Sequence, residues 1–170
     1  IGGGGKGSPS KQSSGAAKEH KQVIYDCKDY LQKSGWLCKG DNIGDLFKDW
    51  VMVPLPEGER VLVVVEKGST AVWGQGSVTT GESCLKGGSE NDKGKGLSLY
   101  EGIRKKTDVV IIDILCYESK WVNEDPYELR RFLLEDKFKT HEENMIQMKL
   151  VPIYSTTVDN IKKLFLSSEN

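Results

Sequence analysis

The sequence lacks several features that would mark whole classes of protein. Its four cysteines, Cys27, Cys38, Cys84 and Cys116, form no C-x-x-C pair, and its two histidines stand far apart. Because zinc sites are usually built from close ligand pairs, the sequence predicts neither a metal centre nor a cofactor. Unpaired spacing of this kind favours free thiols in a reducing compartment. No run of about 18 apolar residues is present, so no membrane-spanning helix is predicted.

The sequence also lacks an excess of charge of either sign. Lysine and arginine number 24 against 25 acidic residues, for a formal net charge of −1. Proteins that bind nucleic acid through a broad basic surface usually carry a strong positive excess, so that mode of binding is not expected. One anionic ligand in one pocket remains compatible with this balance. The 37% hydrophobic content is typical of a globular domain.

No set of catalytic residues is supported by spacing. His141 lies in a charged stretch, and Glu57 and Glu59 lie on a turn, where carboxylates are usually solvated. We therefore predict a binding protein and not an enzyme.

The chain divides by composition into a linker and one domain. Residues 1–20 are rich in glycine, serine and lysine and are predicted to be a disordered linker. Residues 21–170 are predicted to form the domain, which opens with a short helix over 23–33. Strands are expected where β-branched and apolar residues cluster, at 50–53, 60–65, 70–73, 97–100, 109–117 and 148–153.

Turn and helix signals complete the prediction. Residues 54–59 contain two prolines and a glycine, which predicts a hairpin between 50–53 and 60–65. The glycine-rich segment 74–96 is expected to be a long surface loop, and 102–108 a charged turn. Helices are expected over 127–137 and 158–166. Strands followed by late helices predict an α+β fold with a mainly antiparallel sheet.

Two residues within these elements allow more than one interpretation. Asp113 interrupts the apolar run 109–117, and a buried carboxylate needs a partner or a pocket. It either accepts a bond from Arg130, or points to a polar face, or helps to shape a ligand site. Trp36 lies on a polar loop, where it either plugs the edge of the core or offers a surface on which a base can stack.

Several motifs, taken in order, are similar to those of one known family. Residues 49–53, the pattern Pro56-x-Gly58-x-Arg60, and residues 68–70 match it without a gap. Further matches are residues 34–37, 112–117 and 128–131. In this order and spacing they resemble the cap-binding domain of snurportin over roughly residues 31–166.

The resemblance implies a fold similar to that of mRNA guanylyltransferases and nucleotide ligases. It implies that the ligand is the trimethylguanosine cap of small nuclear RNA, and that the protein carries spliceosomal small nuclear ribonucleoproteins into the nucleus. Importin β and an export receptor would be partners through segments absent from this chain, and no membrane is involved. Such an adaptor would shuttle between nucleus and cytoplasm.

The resemblance also assigns candidate cap-binding residues. Ser34 and Trp36 match the family's pocket serine and tryptophan, and Arg60 matches a basic residue of its turn. A methylated guanine is electron-poor, so stacking on Trp36 would gain a cation–π component. Arg60 and Lys67 are the candidates to bind the triphosphate of the cap.

The sequence departs from the family in three places. Glu59 replaces a lysine, and Gln75 stands near the position of another. The family's Trp-Leu-Arg-Pro segment would lie beyond Asn170, so we expect the domain to be truncated at its C-terminus. A protein-interaction domain that has lost cap binding is therefore the first alternative.

The second alternative is a nucleotidyltransferase of the capping-enzyme or ligase type. Its lysine nucleophile lies in Lys-x-Asp-Gly. The nearest sequence here is Lys67-Gly68-Ser69-Thr70, in which serine replaces aspartate and threonine replaces glycine.

Overall fold

The computed structural model of the chain describes residues 50–106, 108–138 and 145–167. Two helices and nine strands are described in this part, in the order β1 (Val51–Met52), β2 (Glu59–Glu66), β3 (Ser69–Trp73), β4 (Val78–Gly81), β5 (Ser98–Lys105), β6 (Asp108–Tyr117), β7 (Lys120–Trp121), α1 (Tyr127–Lys137), β8 (Met148–Leu150), β9 (Tyr154–Ser155) and α2 (Val158–Ser167). The predicted linker 1–20 and helix 23–33 lie outside it. No helix of the described part is long and apolar enough to cross a membrane.

Most strands belong to one sheet with the order β4-β3-β2-β5-β6-β7, and β8 pairs with β6 as well. All neighbours along this order are antiparallel, whereas β8 runs parallel to β6. A separate two-stranded ribbon joins β1 and β9. The α+β class and the mainly antiparallel sheet are therefore confirmed.

The core lies against one face of the sheet. Val61, Val63 and Val65 of β2 point to this face, and Leu134 of α1 packs with them. The residues of β2 that alternate with them, Leu62 and Val64, are also buried. Burial on both faces explains why β2 reads as an almost continuous apolar run and not as an alternating one.

The predicted hairpin between residues 50–53 and 60–65 is wrong. β1 pairs with β9 at the other end of the chain, and the Thr156 hydroxyl donates to the Trp50 carbonyl at 2.8 Å. β2 instead forms its hairpin with β3 through Lys67 and Gly68, whose φ angles are 53° and 82°. Two consecutive left-handed residues make the tight turn that matches the twist of paired strands.

Two other predicted loops also contain regular structure. Within segment 74–96, β4 pairs with β3, and Ser83, Cys84 and Leu85 are buried, so this segment is not a surface loop throughout. Within segment 102–108, β5 continues to Lys105. Charged residues lengthen this strand because their side chains find partners on the neighbouring strands, as described below.

The strand predicted at 109–117 is confirmed as the central β6, with β5 on one side and β7 and β8 on the other. Within this run the charged residue Asp113 is not the exposed one, since it is only 5% exposed. Ile112 is half-buried instead, beside an irregularity in the pairing with β5. The irregularity shifts the alternation of side chains by one position.

This placement sets the cost of truncating Ile112. We expect Ile112→Ala to lower the free energy of unfolding by about 1–2 kcal/mol, because only part of the side chain leaves water on folding. Ile111→Ala, at a fully buried neighbouring position, should cost more. Urea unfolding of both variants measures the difference, and equal losses would show that Ile112 is as buried as Ile111.

Both helices begin close to the predicted residues. α1 starts after Pro126, and the backbone NH of Asn160 donates to the Thr157 hydroxyl at 3.2 Å to cap α2. The strand predicted at 148–153 ends at Leu150. Cys84 and Cys116 are free and buried, and burial raises the pKa of both thiols.

Candidate functional site

Arg60 lies near the start of β2, on the face opposite the core cluster. Its Nε donates to Oε1 of Glu101 at 2.5 Å, and its Nη2 forms an ion pair with the same carboxylate. The Glu101 side chain is 4% exposed, whereas that of Arg60 is 43% exposed. The carboxylate therefore holds one edge of the guanidinium while much of the side chain stays accessible to an anion.

The two residues depend on each other physically. A carboxylate as buried as Glu101 is costly unless it is paired and hydrogen-bonded. In return, a two-point contact fixes the plane of the Arg60 guanidinium, which suits recognition of a phosphate. The sequence reasoning missed Glu101 because the predicted strand ended at Tyr100. An acidic residue between Tyr100 and Ile103 was the available signal.

Gly58 brings the turn close to β5. A Cβ on Gly58 would overlap the carbonyl oxygen of Arg104 and lie 2.6 Å from a methyl carbon of Ile103. Backbone cannot move aside as a flexible side chain can, so this contact requires glycine. The Pro-x-Gly pattern thus lets the chain enter β2 beside the end of β5. This places Arg60 at the end of the strand, where the sheet begins.

Glu59 forms a second ion pair on the other face. Arg104 donates to its Oε2 from Nε at 3.0 Å and from Nη2 at 2.5 Å, and the backbone NH of Gln75 donates to its Oε1. The hydrogen bond from Arg104 is the main cause that lowers the pKa of Glu59. The acidic residue that replaces the family's lysine is thus balanced locally, and it fixes the loop that carries Gln75.

Lys67 lies at the opposite end of β2 from Arg60. Its side chain is 82% exposed and its Nζ lies 3.3 Å from Oε1 of Glu66. The seven residue steps from Arg60 to Lys67 correspond to about 23 Å of strand. The structure therefore does not bring these two candidates to the same phosphate. Ser34 and Trp36 lie outside the described residues.

Asp113 takes the first of the roles that its sequence position allowed. Arg130 donates to it from Nε at 3.0 and 3.2 Å and from Nη2 at 2.9 Å. The NH of Ile114 donates to the same carboxylate at 2.8 Å. The hydrogen bond to Asp113 is also the main cause that raises the pKa of Arg130. This pair joins α1 to β6 and is a structural contact.

No candidate metal site is found among the described residues. No group of three or more histidine, cysteine, aspartate or glutamate side chains within that part of the chain could hold a metal ion. What this part does offer is a fixed guanidinium at an accessible sheet edge.

A comparison with protein families shows the family of the chain. The model of the family described as "Snurportin1, m3G cap-binding domain" matches residues 30–167. The chain belongs to this family. The matched range extends from before Ser34 to the end of α2 and includes all four candidate site residues.

Proposed function

We propose that this chain binds the trimethylguanosine (m3G) cap of RNA. The observation that carries the proposal is the Arg60 guanidinium, fixed by the buried Glu101 and 43% exposed, in a member of the snurportin cap-binding family. The triphosphate of a cap is an anion with several oxygens, and a fixed guanidinium can bind two of them at once.

The candidate residues then have distinct roles. Trp36 stacks on the methylated base, Ser34 makes a polar contact beside it, and Arg60 binds the triphosphate. Because Lys67 lies about 23 Å away along β2, we assign the triphosphate to Arg60 alone.

We further propose the cellular role that the family resemblance implies. The chain would be part of an adaptor that carries capped small nuclear ribonucleoproteins into the nucleus and shuttles between nucleus and cytoplasm. Importin β and an export receptor would be the protein partners of this adaptor. The fold would be of the type found in mRNA guanylyltransferases and nucleotide ligases.

The two alternatives rest on particular positions. Glu59 and Gln75 replace family lysines, which favours a protein-interaction domain without cap binding. A nucleotidyltransferase would place a lysine in a cleft beside a phosphate-binding loop. Here Lys67 lies at an exposed turn, and Thr70, in the position of the loop glycine, is fully buried and 2.7 Å from the Ser83 hydroxyl.

Removal of the Arg60 charge tests the proposal. Since Arg60→Gln alone would leave Glu101 buried without its partner, the variant should combine Arg60→Gln with Glu101→Gln. We expect the double variant to bind a trimethylguanosine cap dinucleotide about 10-fold more weakly, the loss of one charge-assisted hydrogen bond. Equilibrium dialysis with the labelled dinucleotide measures this.

Glu101→Gln alone is the matched control, because it keeps the cation while removing the carboxylate that fixes it, and its affinity should lie between those of the wild type and the double variant. Equal affinity of the double variant and the wild type would remove Arg60 from the site. If the folded wild-type chain does not bind the dinucleotide, the protein-interaction alternative replaces this proposal.

A further inference from the structure

Three basic residues from three strands lie where one end of each strand meets the same side of the sheet. Arg60 of β2 is paired with Ile103 of β5, Ile103 with Val110 of β6, and Val110 with Lys149 of β8. Arg60 and Lys149 therefore occupy one row across four strands. Lys105 lies two residues beyond Ile103, at the end of β5.

All three side chains emerge on one face. Successive residues of a strand point to opposite faces, so Lys105 shares a face with Ile103. The neighbours of the row, Val61, Val109 and Met148, belong to the core cluster on the other face. The row itself thus lies on the face of Arg60, away from the core.

The dimensions of the row fit a chain of phosphates. Neighbouring strands are about 4.8 Å apart, so the backbones of Arg60 and Lys149 are separated by about 14 Å. Such a span exceeds one phosphate group. Lys105 is exposed and the Lys149 side chain is 70% exposed, while Ile103, between the cations, is buried and Val110 is half-buried.

Two acidic groups lie beside these cations. Glu101 is already paired with Arg60, and Asp108, the cross-strand neighbour of Lys105, accepts a bond from Lys149 at 3.0 Å. The Asp108–Lys149 pair lies at the surface, with side chains 39% and 70% exposed. Surface pairs of this kind are weak, so a phosphate can replace the carboxylate as the partner of Lys149.

We propose that Lys105 and Lys149 continue from Arg60 as a path for the backbone phosphates of the RNA that follows the cap. This inference rests on the proposed function, which places the cap triphosphate at Arg60.

The test compares two ligands of the Lys105→Gln/Lys149→Gln double variant. One is a trimethylguanosine-capped RNA hexanucleotide and the other is the cap dinucleotide. Each is titrated at several KCl concentrations from about 50 to about 200 mM, because the binding constant of a ligand held by phosphate contacts falls as a power of the salt concentration. For the hexanucleotide, we expect the slope of log K against log[salt] to become shallower by about 0.7 for each lysine removed. For the two lysines together, this corresponds to an affinity about 25-fold lower at 0.1 M salt. Dinucleotide binding should not change.

Lys120→Gln is the matched control, since Lys120 lies on β7 at the far end of β6. It should leave both affinities unchanged. An unchanged salt dependence in the double variant would overturn the phosphate path, as would an equal loss for both ligands. Lysine-dependent binding of the hexanucleotide without any dinucleotide binding would support the path and reject the cap site. If neither ligand binds, both proposals fail.

Discussion

Arg130→Leu is expected to lower the free energy of unfolding by about 3–5 kcal/mol, because it leaves the Asp113 carboxylate buried without its charged partner. The side chains of Arg130 and Asp113 are 9% and 7% exposed, so water cannot take the place of the guanidinium. The loss also removes the bonds from Nη1 to the carbonyls of Asp125 and Asn123, which fix the start of α1. Urea unfolding followed by circular dichroism measures the change.

The double variant Asp113→Leu/Arg130→Leu is the control for this interpretation. Replacing a buried ion pair by apolar residues of similar volume is often neutral or stabilising. We therefore expect the second substitution to recover much of the lost stability. If the double variant is as unstable as Arg130→Leu, the cost comes from lost packing or lost carbonyl contacts and not from the unpaired charge.

Trp36→Ala is expected to weaken binding of the trimethylguanosine cap by roughly 5- to 150-fold, because stacking of a base on an aromatic side chain contributes about 1–3 kcal/mol. The positive charge of the methylated base adds to the attraction of the indole ring. Equilibrium dialysis of both proteins against the labelled cap dinucleotide over a range of concentrations gives the two dissociation constants.

Trp50→Ala is the matched control for Trp36→Ala. Trp50 is 62% exposed and precedes β1, which pairs with β9 in the separate ribbon. Its removal should leave cap affinity unchanged. If Trp36→Ala binds the cap as tightly as the wild type, Trp36 belongs to the core and the assignment of the stacking residue is wrong.

The sequence predicted those elements whose signals are local. The apolar run of β6, the proline before α1 and the threonine at the start of α2 each specify an element through neighbouring residues. The Asp113–Arg130 contact was one of the alternatives left open, because a buried carboxylate has few ways to be satisfied.

Pairing between distant segments could not be predicted in the same way. β1 and β2 are separated by a turn sequence, yet β1 pairs with β9, about a hundred residues later in the chain. The short exposed β4 has no apolar pattern of its own and exists because β3 offers it a partner. The choice of pairing partner, which a local sequence pattern does not reveal, decides both cases.

In the candidate site too, local signals were found from the sequence and contacts between distant strands were not. Motif order identified Arg60 and Lys67, but the length of β2 separates them by about 23 Å. The buried partner of Arg60, Glu101, became visible only when β5 proved to continue beyond Tyr100. Lys105 and Lys149 join Arg60 through the register of four strands, and no spacing along the chain indicates that row.

The most direct test of cap binding is to titrate the chain with a trimethylguanosine cap dinucleotide and to measure the tryptophan fluorescence of the protein at each step. The proposed stacking of the methylated base on Trp36 predicts a saturable change in fluorescence with one cap bound per chain, and a smaller affinity in the Arg60→Gln/Glu101→Gln variant. A folded chain that shows no saturable change with this ligand would contradict the assignment of cap binding to this protein.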